Sequence, residues 1–407
     1  MSDPQITRTE WAERQVEEFL SLPLISEFVF RSPKHNDPTE KEVIDLLILH
    51  KGQSILISQK AQDDPAKRTV LRNELWVLKN IQDALKPICG AIRKPDERPK
   101  WCEHRRRGRV EFAALPPILH GIVLAETWRP VDLSFAATNV PLDYDGVPIS
   151  YLSINDFLNL VVQLRTVPEL LEYINARRSL PIATLHIVGD ERPLFELYLI
   201  NGGNLKGCTG HADAKRAAET HSDLLQEALD RNAEYQFYNS LIEHVADCLA
   251  ERDPDYAQGL SSEALRLFDP DDKRKNYLML QEILTDLRLR ERAEFGRALY
   301  EAVERTARKE QGLTFRSGYT EGRDLVFLFV ASRKWRKSDL FNAVEHLTGA
   351  ALAYYQKSEC LVIVDRDSEH YDVALSQPGY KPTPEDVAAG EKYFGRLRTD
   401  SVDISQL

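Results

Sequence analysis

No stretch of this chain is apolar for the ~20 residues a membrane-crossing helix needs. Met1-Ser-Asp-Pro has no basic segment leading into an apolar one, so neither an anchor nor a secretion signal is expected, and the cytoplasm is the expected compartment. Cysteine is scarce. The five residues Cys89, Cys102, Cys208, Cys248 and Cys360 are odd in number and far apart, which excludes a disulfide framework and favours reduced thiols. Cys102 and His104 lack further ligands at metal spacing, so no zinc cage is expected there. Surplus positive charge is missing too: 53 Lys and Arg against 64 Asp and Glu leave a net charge of −11. The surface as a whole therefore repels polyanions, and any contact with nucleic acid has to be local. A phosphate-cradling loop is also absent. Asn201-Gly-Gly-Asn-Leu-Lys206-Gly207 has neither the spacing nor a Ser or Thr after the lysine, and no nucleophile elbow occurs.

What remains is an ordinary globular composition, 43% hydrophobic over 407 residues, enough for several α/β and helical regions. Residues 8–22 read as a helix with Ala12, Val16, Phe19 and Leu20 on one side. Two strands, 42–50 and 54–60, follow around the turn Lys51-Gly52-Gln53, and their Val, Ile and Leu content points to a sheet covered on both faces. A long helix carries Leu71, Leu75, Leu78, Ile81 and Leu85 as its apolar stripe and is expected to stop at Pro87 and Gly90. Strands are expected at Arg109–Leu115 and Ile118–Glu126. The reading divides the chain into an α/β domain over 1–130, an α/β extension over 131–210, a helical region over 211–310 and a C-terminal α/β domain over 311–407.

Within the extension, Ser153-Ile-Asn-Asp156 and Thr166-Val-Pro-Glu169 have the form of capping boxes, and Pro168 fits a first helical turn. Ile182–Val188 reads as a strand enclosing His186 as a core histidine, and Leu194–Ile200 as strand or helix. In the helical region Tyr238, Leu241, Ile242, Val245 and Leu249 form one stripe. Tyr277, Leu280, Leu284, Leu287, Phe295, Leu299 and Val303 form another, and both suit core or an interface with a protein partner or second copy. The last region combines a strand Asp324–Ala331, a helix 338–357, a strand Cys360–Asp365 and a helix opened by Thr383-Pro-Glu-Asp386. Asp365-Arg-Asp367-Ser-Glu369-His370 reads as a polar hairpin turn.

Two segments carry chemistry. From Arg93 to Arg109 eight Lys or Arg stand against three acids and one Trp, a flexible basic loop in which Arg98, Lys100, Trp101, Arg105, Arg106, Arg107 and Arg109 could grip a phosphate backbone and stack on a base. The cluster Arg333-Lys334-Trp335-Arg336-Lys337 repeats the combination in shorter form. The second segment is the hairpin itself: Asp45 on one buried strand, and Ser58-Gln59-Lys60 ending the next. A lysine at the end of such a strand needs a carboxylate or solvent, and Asp45 is the natural partner.

A helix bearing Glu, a hydrophobic strand with Asp45, and a strand ending Ile-Leu-Ile-Ser58-Gln59-Lys60 before a long helix resemble the restriction-endonuclease-like PD-(D/E)xK core, over roughly residues 8–126. That resemblance implies a nuclease, or an effector derived from one, in bacterial defence or DNA processing, with Mg²⁺ or Mn²⁺ as cofactor. It makes Asp45 a metal ligand, Lys60 the catalytic lysine, Glu17 or Glu18 the helix-borne carboxylate and Glu42 a substitute ligand. Ser58 occupies the place of the second acidic ligand, so Glu42, Gln59 or Asp63 would have to compensate. More of the chain is similar to an uncharacterised bacterial family in which the corresponding strand ends Phe-Ser-Asp-Lys. That likeness extends to Ser153–Phe157, Thr166-x-Pro-x-Leu170-Leu171-x-Tyr173-x-x-x-Arg177 and Gly189-Asp190-Glu191. The alternative function is a non-catalytic scaffold of nuclease shape that binds nucleic acid or protein.

Overall fold

The computed structural model describes residues 8–34, 42–61, 69–94, 98–252, 280–308, 312–319, 322–333, 335–366, 371–376 and 379–395. Asp63, Tyr277, Lys334 and the segment Asp367–His370 lie outside them. The chain divides into two compact units, Met1–Asp230 and Arg231–Leu407.

The first unit is built on one mixed sheet of eight strands. Helices α1 (Arg8–Phe19) and α2 (Pro23–Ser26) lead into β1 (Val29–Lys34), β2 (Leu46–His50) and β3 (Gln53–Lys60), an antiparallel meander. Lys51 (φ 48°) and Gly52 (φ 68°) make the two-residue turn between β2 and β3, the double positive φ that a tight hairpin with right-handed strand twist requires. Helix α3 (Val70–Arg93) then crosses over to β6 (Ile118–Ala125), which pairs parallel with β3. Between them β4 (Trp101–His104) and β5 (Gly108–Glu111) form a hairpin on the outer side of β1. After β7 (Val131–Asp132) and β8 (Asp143–Tyr144), strand β9 (Val147–Ser153) adds parallel to β6, giving the order β5-β4-β1-β2-β3-β6-β9-β8.

Helices α4 (Ile154–Leu164), α5 (Val167–Arg177), α6 (Ile182–Leu185), α7 (Arg192–Ile200) and α8 (His211–Thr220) complete the unit, with β10 (Ile187–Val188) paired to β7. Strand alternation sorts the core. Leu46, Ile48, Ile55, Ile57, Ile122 and Leu124 face α1, α4 and α5, and Leu47, Leu56 and Val123 face α3. Residues 131–210 are therefore continuous with the expected first domain: β9 extends its sheet, and Phe157, Leu170 and Tyr173 share its core.

Local signals decide several details. Ser153 Oγ accepts the Asp156 N–H at 3.0 Å and Thr166 Oγ1 that of Glu169 at 3.4 Å, so the hydroxyl half of each expected capping box forms; Thr166 Oγ1 also donates to Glu169 Oε2 at 3.0 Å. Helix α3 differs from expectation. It runs past Pro87 and Gly90 to Arg93, because Ile88 and Ala91 beyond the proline are buried against the sheet. Its buried stripe is Val77, Ile81, Ala84 and Leu85, whereas Leu71 and Leu75 are exposed. The expected strand Ile182–Val188 is mostly helical, since only Ile187 and Val188 meet a partner strand. His186, capping that short helix, is buried, with ring nitrogens 3.0 Å from Ile182 O and 2.9 Å from Val140 O.

In the second unit, the part of α9 (Ser222–Arg252) from Arg231 onward and α10 (Leu289–Ala307) precede a four-stranded sheet in the order β11 (Gly312–Tyr319), β12 (Leu325–Arg333), β13 (Glu359–Asp365), β14 (Tyr371–Leu375). Helix α11 (Lys337–Tyr355) makes the crossover between parallel β12 and β13, and α12 (Pro384–Tyr393) packs on α11. The helical stripes are core here. Ile242, Val245, Leu284 and Leu299 are buried, and Phe295 stacks on Phe327 at 3.7 Å. No helix among the described residues is long and apolar enough to cross a membrane.

Candidate functional site

Antiparallel pairing of Leu46 with Ile57 brings Asp45, just ahead of β2, beside Ser58 near the end of β3. The Asp45 carboxylate is held there by donors. Its Oδ2 accepts the Ser58 hydroxyl at 3.0 Å and the Gln59 main-chain N–H at 2.6 Å, and the Asp45 carbonyl accepts the Ser32 N–H at 3.2 Å. Ser58, 2% exposed, thus acts on Asp45 and orients it. Lys60 ends β3 half-buried, its carbonyl accepting the Glu126 N–H at 2.9 Å from the end of β6.

Two further carboxylates join this corner. Glu13, solvent-exposed on the first half of α1, is raised from its ordinary value by partial loss of solvation and then by the charge of Asp45, with Lys60 pulling the other way. Glu42 is raised by lost solvation, then by Asp45 and Glu13, and is opposed by Lys34 and Lys60. Three acids and a lysine therefore share one field at the end of the β2–β3 pair. The helix-borne member is Glu13, and neither Glu17 nor Glu18 takes that place. Glu17 pairs with Arg31 at 2.7 Å and Glu18 lies 3.4 Å from Gln15; Glu18 is exposed, as Glu13 and Glu42 are. Burial of Ala12, Val16 and Leu20 sets the helix face that meets the sheet, and Glu17 is taken up on it by Arg31 of β1.

Gln59, 4% exposed, alternates with Ile55 and Ile57 toward the α1 face. Its buried Oε1 has no partner among the described residues. Carboxylate and amide oxygens are the donors that Mg²⁺ or Mn²⁺ prefers, so the donor chemistry fits such an ion. The spacing is looser: among the described residues no three Asp, Glu, His or Cys converge closely enough to hold a metal ion.

From Arg98 onward the members of the basic segment have separate roles. Arg98 turns back to α3, donating to the carbonyls of Ala91 (3.0 Å) and Ile92 (3.5 Å) at the helix end. At the hairpin tip, Arg106 Nη1 pairs with the buried Glu27 carboxylate at 3.0 Å, and Arg107 Nη2 donates to the Glu27 carbonyl at 2.7 Å. His104 fastens that tip: Nε2 lies 3.0 Å from Ser26 O, and Nδ1 accepts the N–H groups of Arg106 and Arg107 at 3.2 Å each. Burial, then the neighbouring Arg107 charge, pushes His104 down to about 3, so the ring stays neutral as those bonds require. Arg105 remains exposed.

Trp101, 4% exposed, has no open ring face; Arg109 lies over it at 4.2 Å and Lys34 at 4.9 Å. Lys100 is half-buried beside them, its N–H bonded to Lys34 O at 2.8 Å. Glu13 and Lys34 had no signature in the sequence, since each depends on which turn or strand end meets the corner. In comparisons with known proteins, no family model matches the chain, and neither a curated protein nor a solved structure shows significant similarity to it.

Proposed function

We propose that the N-terminal unit is a metal-dependent nuclease of atypical site composition, acting on DNA or RNA, in a chain of the kind that serves bacterial defence. The observation that carries this reading is the gathering of Glu13, Glu42, Asp45 and Lys60 at one end of the β2–β3 pair. The order α1, antiparallel β2–β3, crossover α3 and parallel β6 agrees with the restriction-endonuclease-like resemblance. In this reading Mg²⁺ or Mn²⁺ would be drawn to Asp45, with Gln59 beside it, and Glu42 and Glu13 would add negative charge to the corner without completing a three-carboxylate site. The ion would supply the Lewis acidity that phosphodiester hydrolysis needs. Lys60 contributes a fixed positive charge where negative charge develops on the phosphate. Ser58 keeps Asp45 aimed through its hydroxyl, as a positioning residue.

The test is cleavage of labelled DNA and RNA with Mg²⁺ or Mn²⁺ by the full chain and by Lys60→Ala, Asp45→Asn and Glu13→Gln. The expected result is cleavage by the wild type, loss of at least a hundredfold in each variant, and unchanged circular dichroism. Wild type that cuts neither substrate with either ion refutes the reading. One observation favours the second reading, a non-catalytic scaffold: an Asp45 oxygen already holds two protein donors, and no acidic residue stands at position 58. That scaffold would bind nucleic acid with the same affinity whether or not the metal is supplied.

A further inference from the structure

We propose that Lys34 and Arg109, both stacked on Trp101, form a phosphate-binding track that leads a polynucleotide to the Asp45/Lys60 corner and reads its backbone without reading its bases. The direction of the track rests on the nuclease reading; its binding chemistry does not. Strand register supplies the geometry. Lys34 pairs with Trp101, whereas Phe30 pairs with His104, so the β4–β5 hairpin places Trp101 at the Asp45 end of β1 and the arginine tip at the far end. The tip is four residues away, roughly 13 Å along the strand.

Lys34 lies at the same end of β1 as Glu42: their main chains form an isolated antiparallel β-bridge, and the Glu42 carboxyl feels the charges of both Lys34 and Lys60. Positive charge therefore continues from Lys60 past Glu42 to Lys34 and on to Arg109, on a chain whose net charge of −11 makes such continuity uncommon. Cys102 and Val110 point into the α3-side core, so the alternate residues Trp101 and Arg109 lie on the α1 face, whereas Ser58 and Lys60 share the α3 face with Leu56; the track therefore reaches the corner around the ends of the strands.

The ligand class follows from what Trp101 can offer. Base stacking needs an exposed ring, and this one is buried beneath two cations. It holds the cations in place by cation–π attraction, and the cations meet phosphate. Arg109 also pairs with exposed Glu111 at 3.1 Å, a contact a phosphate can replace. Arg98, Arg106 and Arg107 are engaged by α3 and Glu27, and stay outside the track.

The experiment is fluorescence anisotropy of the full chain with two fluorescein-labelled single-stranded DNA oligonucleotides of unrelated sequence, in EDTA, across a salt series. Wild type is expected to bind both within about twofold. Lys34→Gln with Arg109→Gln should flatten the slope of log K against log salt by about 1.4, from about 0.7 for each lost phosphate contact. The charge-conserving Lys34→Arg with Arg109→Lys should keep the slope. An unchanged slope in the double Gln variant, a preference above tenfold between sequences, or no binding at low salt overturns the track. Cleavage by the wild type, assayed beside binding, separates the two readings. A chain that binds as described yet cuts nothing with Mg²⁺ or Mn²⁺ refutes the nuclease and leaves the track standing. Cleavage with an unaffected slope does the reverse.

Discussion

Removing the Ser58 hydroxyl should matter only while Asp45 is present. The bond from Ser58 Oγ to Asp45 Oδ2 is 3.0 Å long, and the serine is 2% exposed. A hydrogen bond to a charged acceptor contributes about 1.5–3 kcal/mol, and the half-open carboxylate places this one near the lower end. Ser58→Ala is therefore expected to cost about 1.5 kcal/mol. Asp45→Ala deletes the acceptor for both Ser58 Oγ and the Gln59 N–H, leaving a buried hydroxyl without its partner, at a cost of about 2–3 kcal/mol. In that background Ser58→Ala removes an unsatisfied group and should be neutral within about 0.3 kcal/mol, so the double-mutant coupling is about 1.5 kcal/mol.

Urea unfolding followed by tryptophan fluorescence reads the relevant unit. Trp11, Trp76, Trp101 and Trp128 lie in it, and only Trp335 lies in the other. The Ser58→Ala midpoint should fall by about 0.5 M, with an unchanged slope. Additivity of the two substitutions within about 0.3 kcal/mol would falsify the claim that Ser58 acts through Asp45.

Four other outcomes are expected. Arg177 and Glu191 form a buried pair, Nε to Oε1 at 2.8 Å, with Tyr173 OH donating to the same oxygen at 2.6 Å; Glu191→Leu alone should cost about 3–5 kcal/mol in chemical denaturation, and adding Arg177→Met should recover part of it. Gly296 of α10 lies against the main-chain carbonyl of Tyr238, so Gly296→Ala should lower the melting temperature of the full chain by forcing these helices apart; an unchanged melt refutes that packing. Burial raises Asp156 from 3.8 to about 6, which means the folded state holds the proton more tightly. Stability from this group is present below pH 4 and is lost as pH rises through 6. Relative to Asp156→Asn, wild type should lose up to about 1.4 kcal/mol per pH unit across that window and run parallel above it. His104 shifts the opposite way, down to about 3, so its contribution is lost as pH falls below 6.5; His104→Gln should flatten the acid limb of the unfolding curve.

Elements whose determinants are local could be read directly. The Lys51-Gly52 turn needs two positive φ values, and the caps at Ser153, Thr166 and Thr383 need one hydroxyl at one position, so neighbouring residues decide them. Elements decided by a distant partner could not. Strand β1 has Ser32 at φ 42° followed by Pro33, poor strand material, and exists because β2 and β4 flank it. The basic segment reads as a flexible loop in sequence because its charges hide the buried Trp101, Cys102 and His104 of β4. Only β1 and Glu27 give those residues an inside. Helix α3 shows the converse: the exposed Leu71 and Leu75 complete a stripe in sequence that the sheet does not cover.

The site divides the same way. Asp45 and Lys60 sit on strands joined by a tight turn, so their proximity follows from hairpin register alone. Glu13 belongs to a helix, where Glu13 and Glu17 flank the same buried stripe one turn apart. Choosing between them requires knowing where along the helix the strands end. That distance is set by α1 packing Ala12, Val16 and Leu20 against the core, a tertiary fact. Ser58 is then understandable without a second acid at its position. A carboxylate there would face Asp45 directly inside a buried strand, adding repulsion to a corner where Glu13 and Glu42 are already raised by lost solvation and then by the Asp45 charge. A hydroxyl donates to Asp45 instead, and the acidity that the β3 position lacks is supplied from α1 and from the approach to β2.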